Sequence, residues 1–378
     1  MSRRFWRLVL ASGAVVLLAG CGNRQTQEAL QKASDLDSRK QYQDANEVLV
    51  EGLRAREAVL RSQNTPPTDP VAAADYAKKL QADPEILKLE RAQLPLYIHM
   101  ERADLASAIY SDILAGHPGD TVVLDLLHSP DKTIRIGAIR VCGLAAKPDA
   151  IAALATATKD PDQEVRRAAV VALGSIKGPE TVPPLIEALG DSYWDVRSEA
   201  ANALGQDHDV RAVKPLILAV ADPDPTVVSS AETALLFLCK EPNLRADDFA
   251  ARLNDSNPKL LRISAVCLAL LRDPRAVPVL LKLVDSPDPV TRLDAIKGLG
   301  ESGDRSVIPT LRATLKDPEV NVRGWSIIGL GKMRDFGSLD DLRAIANNPA
   351  EPPSIRSAAA GAANHISPSN QDAPSAGP

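Results

Sequence analysis

Histidine and cysteine are the residue types in this chain that could ligate a metal ion or act as nucleophiles. The sequence has five His and four Cys. No two His are four residues apart, no His precedes a Glu, and there is no Cys-x-x-Cys. A phosphate-binding Walker sequence, a Gly-x-Ser-x-Gly elbow and a His-Glu-x-x-His helix are also absent. The sequence therefore predicts no catalytic residue, no metal site, no cofactor and no small-molecule substrate.

Aspartate and arginine recur six residues apart in three closely similar segments. Each segment has an Asp, an Arg six residues later, and then a run of small residues that ends in Leu-Gly. The pairs are Asp160 and Arg166, Asp191 and Arg197, and Asp317 and Arg323. The arginines could form an anion-binding row. Alternatively, each could pair with an Asp of a neighbouring segment, because the planar guanidinium matches a carboxylate.

Weaker copies extend this pattern into a long repeat. Arg135, Arg262, Arg292 and Arg356 occupy the Arg position, and Val228 replaces it in one copy. Successive positions are 31, 31, 31, 34, 30, 31 and 33 residues apart. Such a period is typical of stacked helical units. The spacing predicts seven full repeats and a final half repeat, with an irregularity at the copy that contains Val228.

Each repeat has the pattern of two amphipathic helices. The first helix follows an Asp-Pro or Ser-Pro turn, where Asp can cap free amides. We expect it to end at the glycine of Leu-Gly, which is Gly174, Gly205, Gly300 or Gly331. The second helix has apolar residues at the spacing of one buried face. This stripe occurs as Val182, Leu185, Ile186, Leu189, as Val213, Leu216, Ile217, Val220, and as Val277, Leu280, Leu281, Val284. The sequence predicts an all-α fold, an α-solenoid of stacked helix pairs.

These repeats resemble HEAT repeats of the short type found in bilin lyases, over residues 119–366. The resemblance implies that the Asp and Arg residues form a structural ladder, and that exposed helix faces bind other proteins. Deoxyhypusine hydroxylase, a HEAT-repeat enzyme, binds iron through His-Glu pairs, which this sequence lacks. We therefore expect a protein–protein interaction scaffold and no enzyme. The alternatives are an accessory, chaperone or lyase-like factor, and an envelope spacer without a dedicated partner.

The first 21 residues have the order of a secretion signal. Residues 3–7 carry three arginines, and residues 8–19 form an uncharged run that is shorter than the about 20 residues a bilayer requires. The run ends in Leu-Ala-Gly-Cys at Cys21, which resembles the bacterial lipobox. The resemblance implies cleavage before Cys21 and acyl chains attached to it. We expect a lipid-anchored protein of the cell envelope. In a Gram-negative source, Gly22 favours the periplasmic side of the outer membrane.

The remaining segments complete the expected organisation. After a signal peptide at 1–20 come a lipidated tether at 21–28 and a tetratricopeptide-like helical region at 29–118, for which a generic helical cap is the alternative. Residues 62–84 are expected to form a loop with a short helix, and residues 367–378 a disordered tail. The tetratricopeptide resemblance rests on Tyr42, Ala45, Leu49 and Gly52, and on Ala106, Tyr110, Ile113 and Pro118.

The charge and the aromatic content limit the choice of partner. The formal net charge is −5, and removal of residues 1–20 would delete three arginines and no acid, leaving −8. Only 3% of the residues are aromatic. An acidic chain with few aromatic residues is not expected to bind nucleic acid, which requires basic fields or stacking platforms. The expected partners are proteins, and the membrane through the acyl chains on Cys21.

The second helices offer a candidate protein-binding surface. The residue five places after the leading apolar position is expected to face outward from the core. This column becomes basic towards the C-terminus: Thr156, Glu187, Leu218, Lys282, Arg312 and Arg343. We predict that Lys282, Arg312 and Arg343 bind an acidic segment of a partner. A solvated face of mixed charge is the alternative.

Three cysteines and three aromatic residues complete the candidates. Cys142, Cys239 and Cys267 lie in apolar helical stretches and are interpreted as small buried residues. A disulfide in an oxidising compartment is the alternative, with Cys239 and Cys267 as the preferred pair. Tyr193 and Trp194 precede a first helix, and Trp325, a third aromatic candidate, lies within one. They could fill the turn between repeats or act as exposed binding anchors.

Overall fold

The computed structural model describes residues 24–63, 82–116 and 120–367. Within these ranges the regular structure is helical, with no strand, and the repeats stack as an α-solenoid, which confirms the predicted fold class. The predicted signal peptide with Cys21, most of the expected loop at 62–84, and Pro118 lie outside the described residues. The tail beyond Ser367 also lies outside them.

The chain divides into an N-terminal half, Met1–Ala188, and a C-terminal half, Leu189–Pro378. The N-terminal half begins with two helical hairpins and continues with the first repeats. Its described helices are α1 (Arg24–Ser38), α2 (Tyr42–Gln63), α3 (Pro84–His99), α4 (Ala103–Gly116), α5 (Val122–Leu126), α6 (Lys132–Ala145), α7 (Ile151–Ala157), α8 (Gln163–Ile176) and α9 (Val182–Ala188).

The N-terminal helices form two hairpins, α1 with α2 and α3 with α4, and the first hairpin shares a small apolar core with α3. Leu49 of α2 and Leu89 of α3 are fully buried at its centre. Gly52 lets the helices approach, since a Cβ there would lie 3.1 Å from Ala29. Helix α1 already begins at Arg24, inside the segment expected to be a tether, and it buries Thr26 against the hairpins. Two hairpins beside the repeats are compatible with a tetratricopeptide-like region, which stays a prediction.

The C-terminal half consists of alternating long and short helices. Its described helices are α10 (Trp194–Gln206), α11 (Val213–Ala219), α12 (Pro225–Leu238), α13 (Ala246–Ala250), α14 (Pro258–Leu270), α15 (Val277–Leu283), α16 (Pro289–Ser302), α17 (Ile308–Ala313), α18 (Val320–Lys332), α19 (Leu339–Asn347) and α20 (Pro353–Ile366). The long helices are the predicted first helices of the repeats, and the short ones, usually preceded by a 3₁₀ turn, are the second helices.

Polar side chains cap most of the first helices, as the Asp-rich turns predict. Asp162 accepts hydrogen bonds from the amides of Glu164 and Val165, and Asp224 accepts one from Thr226. Asn257 caps α14 in the same way. These contacts satisfy amides that lack a helical partner, so each turn fixes where the following helix begins.

The glycines of the Leu-Gly pairs do not end the first helices, and the expectation that they do is wrong. A Cβ at Gly205 would lie 2.8 Å from the Cα of Ala234 on α12, and one at Gly300 would lie 3.2 Å from the Cα of Gly329 on α18. The glycines therefore allow neighbouring first helices to approach closely. The four glycines lie within α8, α10, α16 and α18: Gly174, Gly205, Gly300 and Gly331.

Instead, the chain leaves six of the first helices at a left-handed residue two or three positions after this column. Five of these six residues have side chains, although a left-handed conformation costs them about 1–2 kcal/mol. The residues and their φ angles are Ala146 (47°), Lys177 (57°), His208 (56°), Arg272 (56°), Gly303 (73°) and Arg334 (48°).

The stack is irregular between α12 and α14. The Arg position of α12 is Val228, and the glycine position is the partly exposed Leu236. As a result, α12 packs along α10 but touches α14 at only a few points. Arg262 of α14 binds Glu232 and Asp294 on neighbouring first helices instead of an Asp in the next turn. We call this junction the α12–α14 seam.

Candidate protein-binding surface

The Arg197 guanidinium shows the regular geometry of the Asp–Arg ladder. We call the contacts of one ladder arginine a rung. Its Nε and Nη2 donate to the two carboxylate oxygens of Asp222 at 2.7 and 2.8 Å, and Nη1 donates to the Asp191 carbonyl oxygen at 2.9 Å. Burial alone would raise the pKa of Asp222. The hydrogen bonds from Arg197 and from the Asp224 amide outweigh burial, and the pKa is lowered. The guanidinium thus joins its own turn to the turn of the following repeat.

Other rungs repeat this geometry with variations. Arg135 binds Asp160 through Nε and Nη2 at 2.9 and 3.1 Å. Arg166 donates to the Asp160 carbonyl oxygen at 2.9 Å. Arg323 donates to the Asp317 carbonyl oxygen at 2.9 Å and to Glu351 at 2.8 Å. The column predicted from the sequence therefore makes contacts that hold consecutive turns together.

Arg292 forms a looser rung than the others. Only its Nε reaches Asp317, at 3.3 Å, while Nη1 donates to the carbonyl oxygens of Ser286 and Pro287. The Nη2 group, which closes the pair with the carboxylate in the rungs of Arg135 and Arg197, has no acceptor among the described residues. This leaves one guanidinium nitrogen available for a ligand.

The second helices bury one face and expose the other in a constant register. Apart from the short α13, the fourth residue of each is a fully buried leucine: Leu154, Leu185, Leu216, Leu280, Leu311 and Leu342. The second and sixth residues of the same helices are exposed. Leu218, at the sixth position of α11, is 58% exposed. We call the exposed positions of these helices the second-helix face.

The predicted basic column on this face needs a correction. Thr156, Glu187, Leu218 and Lys282 are exposed sixth residues of their helices. Arg312 and Arg343 are fifth residues, because α17 and α19 begin one residue later than the repeat spacing implies. The sixth positions there are Ala313 and Ala344. The column is therefore not a continuous basic row.

Arg312 is moreover engaged in an ion pair, although its side chain is 40% exposed. Its Nε and Nη2 donate to the two carboxylate oxygens of the buried Asp335, each at 2.7 Å. The hydrogen bond from Arg312 lowers the pKa of Asp335. Lys282 and Arg343 have exposed side chains. Of the three basic residues predicted to bind a partner, these two lie at the surface, while Arg312 holds α17 to the turn before α19.

A cleft of about 630 Å³ opens between α15 and α17 on the second-helix face. Leu281, Val284 and Pro309 form apolar parts of its wall. The ion-paired side chains of Arg292 and Asp317 form a polar part of the same wall. The remaining charged lining residues, Asp285 and Lys316, are exposed. We call it the α15–α17 cleft.

No pattern of spacing in the sequence predicts this cleft. When α15 and α17 are aligned from their first residues, Thr310, Ala313 and Thr314 stand where α15 has Val279, Lys282 and Leu283. The smaller side chains of α17 leave the space open. This difference in side-chain volume between two equivalent helices is the feature of the sequence that could have indicated the cleft.

Tyr193 and Trp194 are exposed by 48% and 49%, respectively. Trp325 differs, since it is half-buried with the Lys297 ammonium 5.3 Å from its ring centroid. Partly exposed aromatic side chains are enriched at protein interfaces, so the first two fit the role of binding anchors better than that of turn fillers.

The three described cysteines are buried free thiols. Burial raises the pKa of Cys142 to about 12, so this thiol is not a nucleophile at neutral pH. Burial first, and then a hydrogen bond with the Cys239 thiol, raise the pKa of Cys267. Cys239 and Cys267 thus lie together at the α12–α14 seam without being linked.

No helix in the described ranges combines the length and the apolar character that crossing a bilayer requires. Within residues 24–63, 82–116 and 120–367, no three His, Cys, Asp or Glu side chains are grouped so that they could hold a metal ion.

The sequence matches the family model of HEAT repeats over residues 121–205, 182–244, 246–319 and 283–364, well over half of the chain. The chain belongs to the HEAT-repeat family. None of the curated proteins is significantly similar to it in sequence.

Two solved structures, Kap95p and importin beta, share its fold. The Kap95p chain of a complex with RanGDP has a TM-score of 0.58 and 13% identity, covering 97% of this chain and 55% of Kap95p. An importin beta structure has a TM-score of 0.52 and 14% identity, covering 91% of this chain and 54% of importin beta. This chain thus spans about half the length of either protein. The complex of CpcE and CpcF of phycocyanin lyase from Nostoc sp. PCC7120 has a TM-score of 0.33 and 19% identity, covering 65% of this chain and 93% of that one.

Proposed function

We propose that this HEAT-repeat protein is a scaffold that binds another protein through its second-helix face. The observation that carries the proposal is the constant register of the second helices. Apart from the short α13, each buries a leucine at its fourth position and exposes its second and sixth positions. Within each half of the chain, repeats with this arrangement present exposed residues that are not needed for the core. The fold is that of Kap95p, which the compared structure shows bound to RanGDP.

The proposed mechanism has two parts. The Arg–Asp rungs and the close glycine contacts fix neighbouring repeats relative to each other, so the exposed residues are held in place before a partner arrives. Such preorganisation reduces the entropy lost on binding. The exposed Tyr193 and Trp194 supply apolar area of the kind that dominates binding energy at interfaces. We propose no chemical reaction for the chain.

We further propose that acyl chains on Cys21 hold the scaffold at an envelope membrane. The support is the order of basic residues, uncharged run and Leu-Ala-Gly-Cys in the sequence. Two or more acyl chains are sufficient for stable anchoring without a spanning helix. In a Gram-negative source, Gly22 favours the periplasmic side of the outer membrane. The partner is then a protein of the same compartment.

Cross-linking of the full-length protein in its native cells, followed by mass spectrometry, tests the scaffold proposal. We expect reproducible cross-links from one partner to the second-helix face, for example to Lys282. Cross-links from the same partner should be absent at Lys297, which lies against Trp325 on a first helix. Two results together would indicate a spacer and contradict the scaffold. These are the absence of any cross-linked partner in wild-type cells and the loss of envelope integrity in cells that lack the gene.

A further inference from the structure

The α15–α17 cleft combines space with an unused hydrogen-bond donor. Helix α17 leaves the space by carrying Thr310 and Ala313 where α15 carries Val279 and Lys282. Arg292 lines the same space, and its side chain is only 16% exposed. Because Nη2 of Arg292 has no acceptor among the described residues, the wall of the cleft holds a guanidinium N–H that a ligand can satisfy.

The chemistry of the walls defines the ligand. A guanidinium nitrogen prefers a carboxylate, and a charge-assisted hydrogen bond of this kind is stronger than a neutral one. Lys316 adds a second positive charge at the rim, and its exposed side chain can reach the same ligand group. Asp285, also at the rim, is an acceptor for the N–H of a peptide backbone. The walls formed by Leu281, Val284 and Pro309 accept an aliphatic side chain.

We infer that the α15–α17 cleft binds an extended peptide segment of the partner in which a Glu or Asp is flanked by aliphatic residues. The peptide carboxylate accepts hydrogen bonds from Arg292 Nη2 and from Lys316, and a neighbouring aliphatic side chain contacts Leu281. This inference rests on the proposed scaffold function and names the chemistry of the partner at one point of the second-helix face.

The loose rung at Arg292 supplies the hydrogen-bond donor for the peptide carboxylate in this arrangement. In the rung of Arg197, Nε, Nη1 and Nη2 each donate to a protein oxygen, so none of the three guanidinium nitrogens is without an acceptor. At Arg292, the Asp317 carboxylate accepts a hydrogen bond from Nε only. It also accepts one from the backbone amide of Glu319 at 2.8 Å. The same structural column therefore provides a ligand-binding group at one repeat without losing its contact to the turn.

Fluorescence anisotropy with a defined probe tests the inference. The probe is a fluorescein-labelled peptide of alternating Glu and Leu, and the comparison peptide has Gln in place of Glu. The full-length protein in detergent should bind the Glu peptide at least about 10-fold more tightly than the Gln peptide. The difference should shrink as the salt concentration rises, since screening weakens the exposed Lys316 contribution.

Three variants locate the binding site. Ala313→Leu fills the cleft from an exposed helical position and leaves the ladder intact, and Lys316→Glu reverses the rim charge. Each should weaken binding of the Glu peptide about 10-fold or more. Lys259→Glu is the matched control, because Lys259 is an exposed lysine at the start of α14 and outside the cleft. It should change the affinity less than about twofold.

Equal binding of the two peptides, or no binding of either, overturns the inference. So does unchanged affinity in both Ala313→Leu and Lys316→Glu, provided that thermal unfolding shows both variants folded. Should one variant fail to fold, the other decides. None of these outcomes affects the scaffold proposal, which depends on cross-links to a native partner and fails separately if no partner is found.

Discussion

Glycines of this protein have opposite roles according to what lies beside them. Gly205 of α10 would place a Cβ 2.8 Å from the backbone of Ala234, whereas a Cβ at Gly361 of α20 would meet nothing within 4 Å. Both lie inside long helices. The same substitution at the two positions therefore separates helix propensity from helix packing.

We predict that Gly361→Ala stabilises the protein by about 0.5–1 kcal/mol, because alanine loses less conformational entropy in a helix. Gly205→Ala should destabilise it by about 1–3 kcal/mol, because α10 and α12 must move apart. Urea unfolding followed by circular dichroism measures both. Stabilisation by Gly205→Ala would contradict the packing role of this glycine.

Arginine pairs likewise differ in what their loss costs. The Arg197–Asp222 pair has side chains exposed by 13% and 10%, while Arg211 of the pair with Asp209 is 49% exposed. We predict that Arg197→Gln destabilises the protein by about 3 kcal/mol, since it leaves the Asp222 carboxylate buried and unpaired. Arg211→Gln should cost less than about 1 kcal/mol. The measurement is the free energy of unfolding at pH 7.

The Arg197 prediction has a pH dependence with a definite sign. The pKa of Asp222 is lowered in the folded state from its ordinary value of 3.8. The stability that the pair contributes is therefore present above pH 3.8 and is lost as the pH falls through the lowered value. The difference between wild type and Arg197→Gln should shrink in that range. A constant difference would contradict the electrostatic origin of the effect.

At the scale of elements, burial raises the pKa of acids in the N-terminal hairpins, as it does for Glu232 in the repeats. Burial first, and then the charges of Asp112 on α4 and Glu57 on α2, raise the pKa of Glu90 on α3 to about 7. Burial also raises the pKa of Asp37 to about 6. A raised pKa favours the protonated acid in the fold, so the hairpins lose stability as the pH rises from 4.5 through about 7.

We predict that Glu90→Gln removes part of this loss. At pH 8 it should raise the melting temperature of the N-terminal half by about 2–4 °C, the shift that about 1 kcal/mol produces in a domain of roughly 150–250 residues. At pH 5 the effect should be small. Glu47→Gln, at an exposed position of α2, serves as the control without a pH-dependent effect. An equal effect of Glu90→Gln at both pH values would contradict the prediction.

The α12–α14 seam should open more readily than the regular junctions. Val228 removes the ladder, and Leu236 stands where other repeats have glycine, so α12 and α14 share little contact. We predict that amides of α14 exchange with deuterium about 10-fold faster than those of α18, because local opening follows contact density. The same experiment provides the comparison, since both helices lie in the C-terminal half. Equal protection would show that the seam is as stable as the other junctions.

The sequence predicted the helical pattern well because that pattern repeats. Apolar residues such as Leu185 and Leu216 recur at helical spacing, and the period itself identifies the stack. The role of Gly205 was misjudged because a glycine after leucine has the same local appearance at a helix end and at a close helix contact. The register of Arg312 was misjudged because the period shifts by one residue between α15 and α17.

The cleft and the buried acids lie beyond such patterns for a different reason. The space beside Arg292 depends on the volumes of Thr310 and Ala313 relative to an equivalent helix, which no spacing rule records. The surroundings of Glu90 depend on three helices that meet only in the folded chain. Local signals predict elements, whereas these features come from contacts between residues distant in sequence.

At the scale of the whole molecule, the scaffold proposal joins a described solenoid to an anchor predicted from sequence. A binding surface held at a membrane meets its partner at a higher effective concentration than the same surface in solution. The anchor and the surface are independent in sequence, since Cys21 precedes α1 and the second-helix face begins with α7. Each can therefore be removed without altering the other.

The last prediction concerns that anchor. Acylation requires the sulfur of Cys21, so Cys21→Ala should abolish incorporation of radiolabelled palmitate and move the protein from the membrane pellet to the supernatant in high salt. Cys142→Ala, which removes a buried thiol of the repeats, should keep the label and the pellet. The solenoid should fold equally in all three proteins, as circular dichroism can verify. Because high salt weakens electrostatic attachment but not acyl anchoring, Cys21→Ala protein that stays in the pellet would show that attachment does not depend on this cysteine.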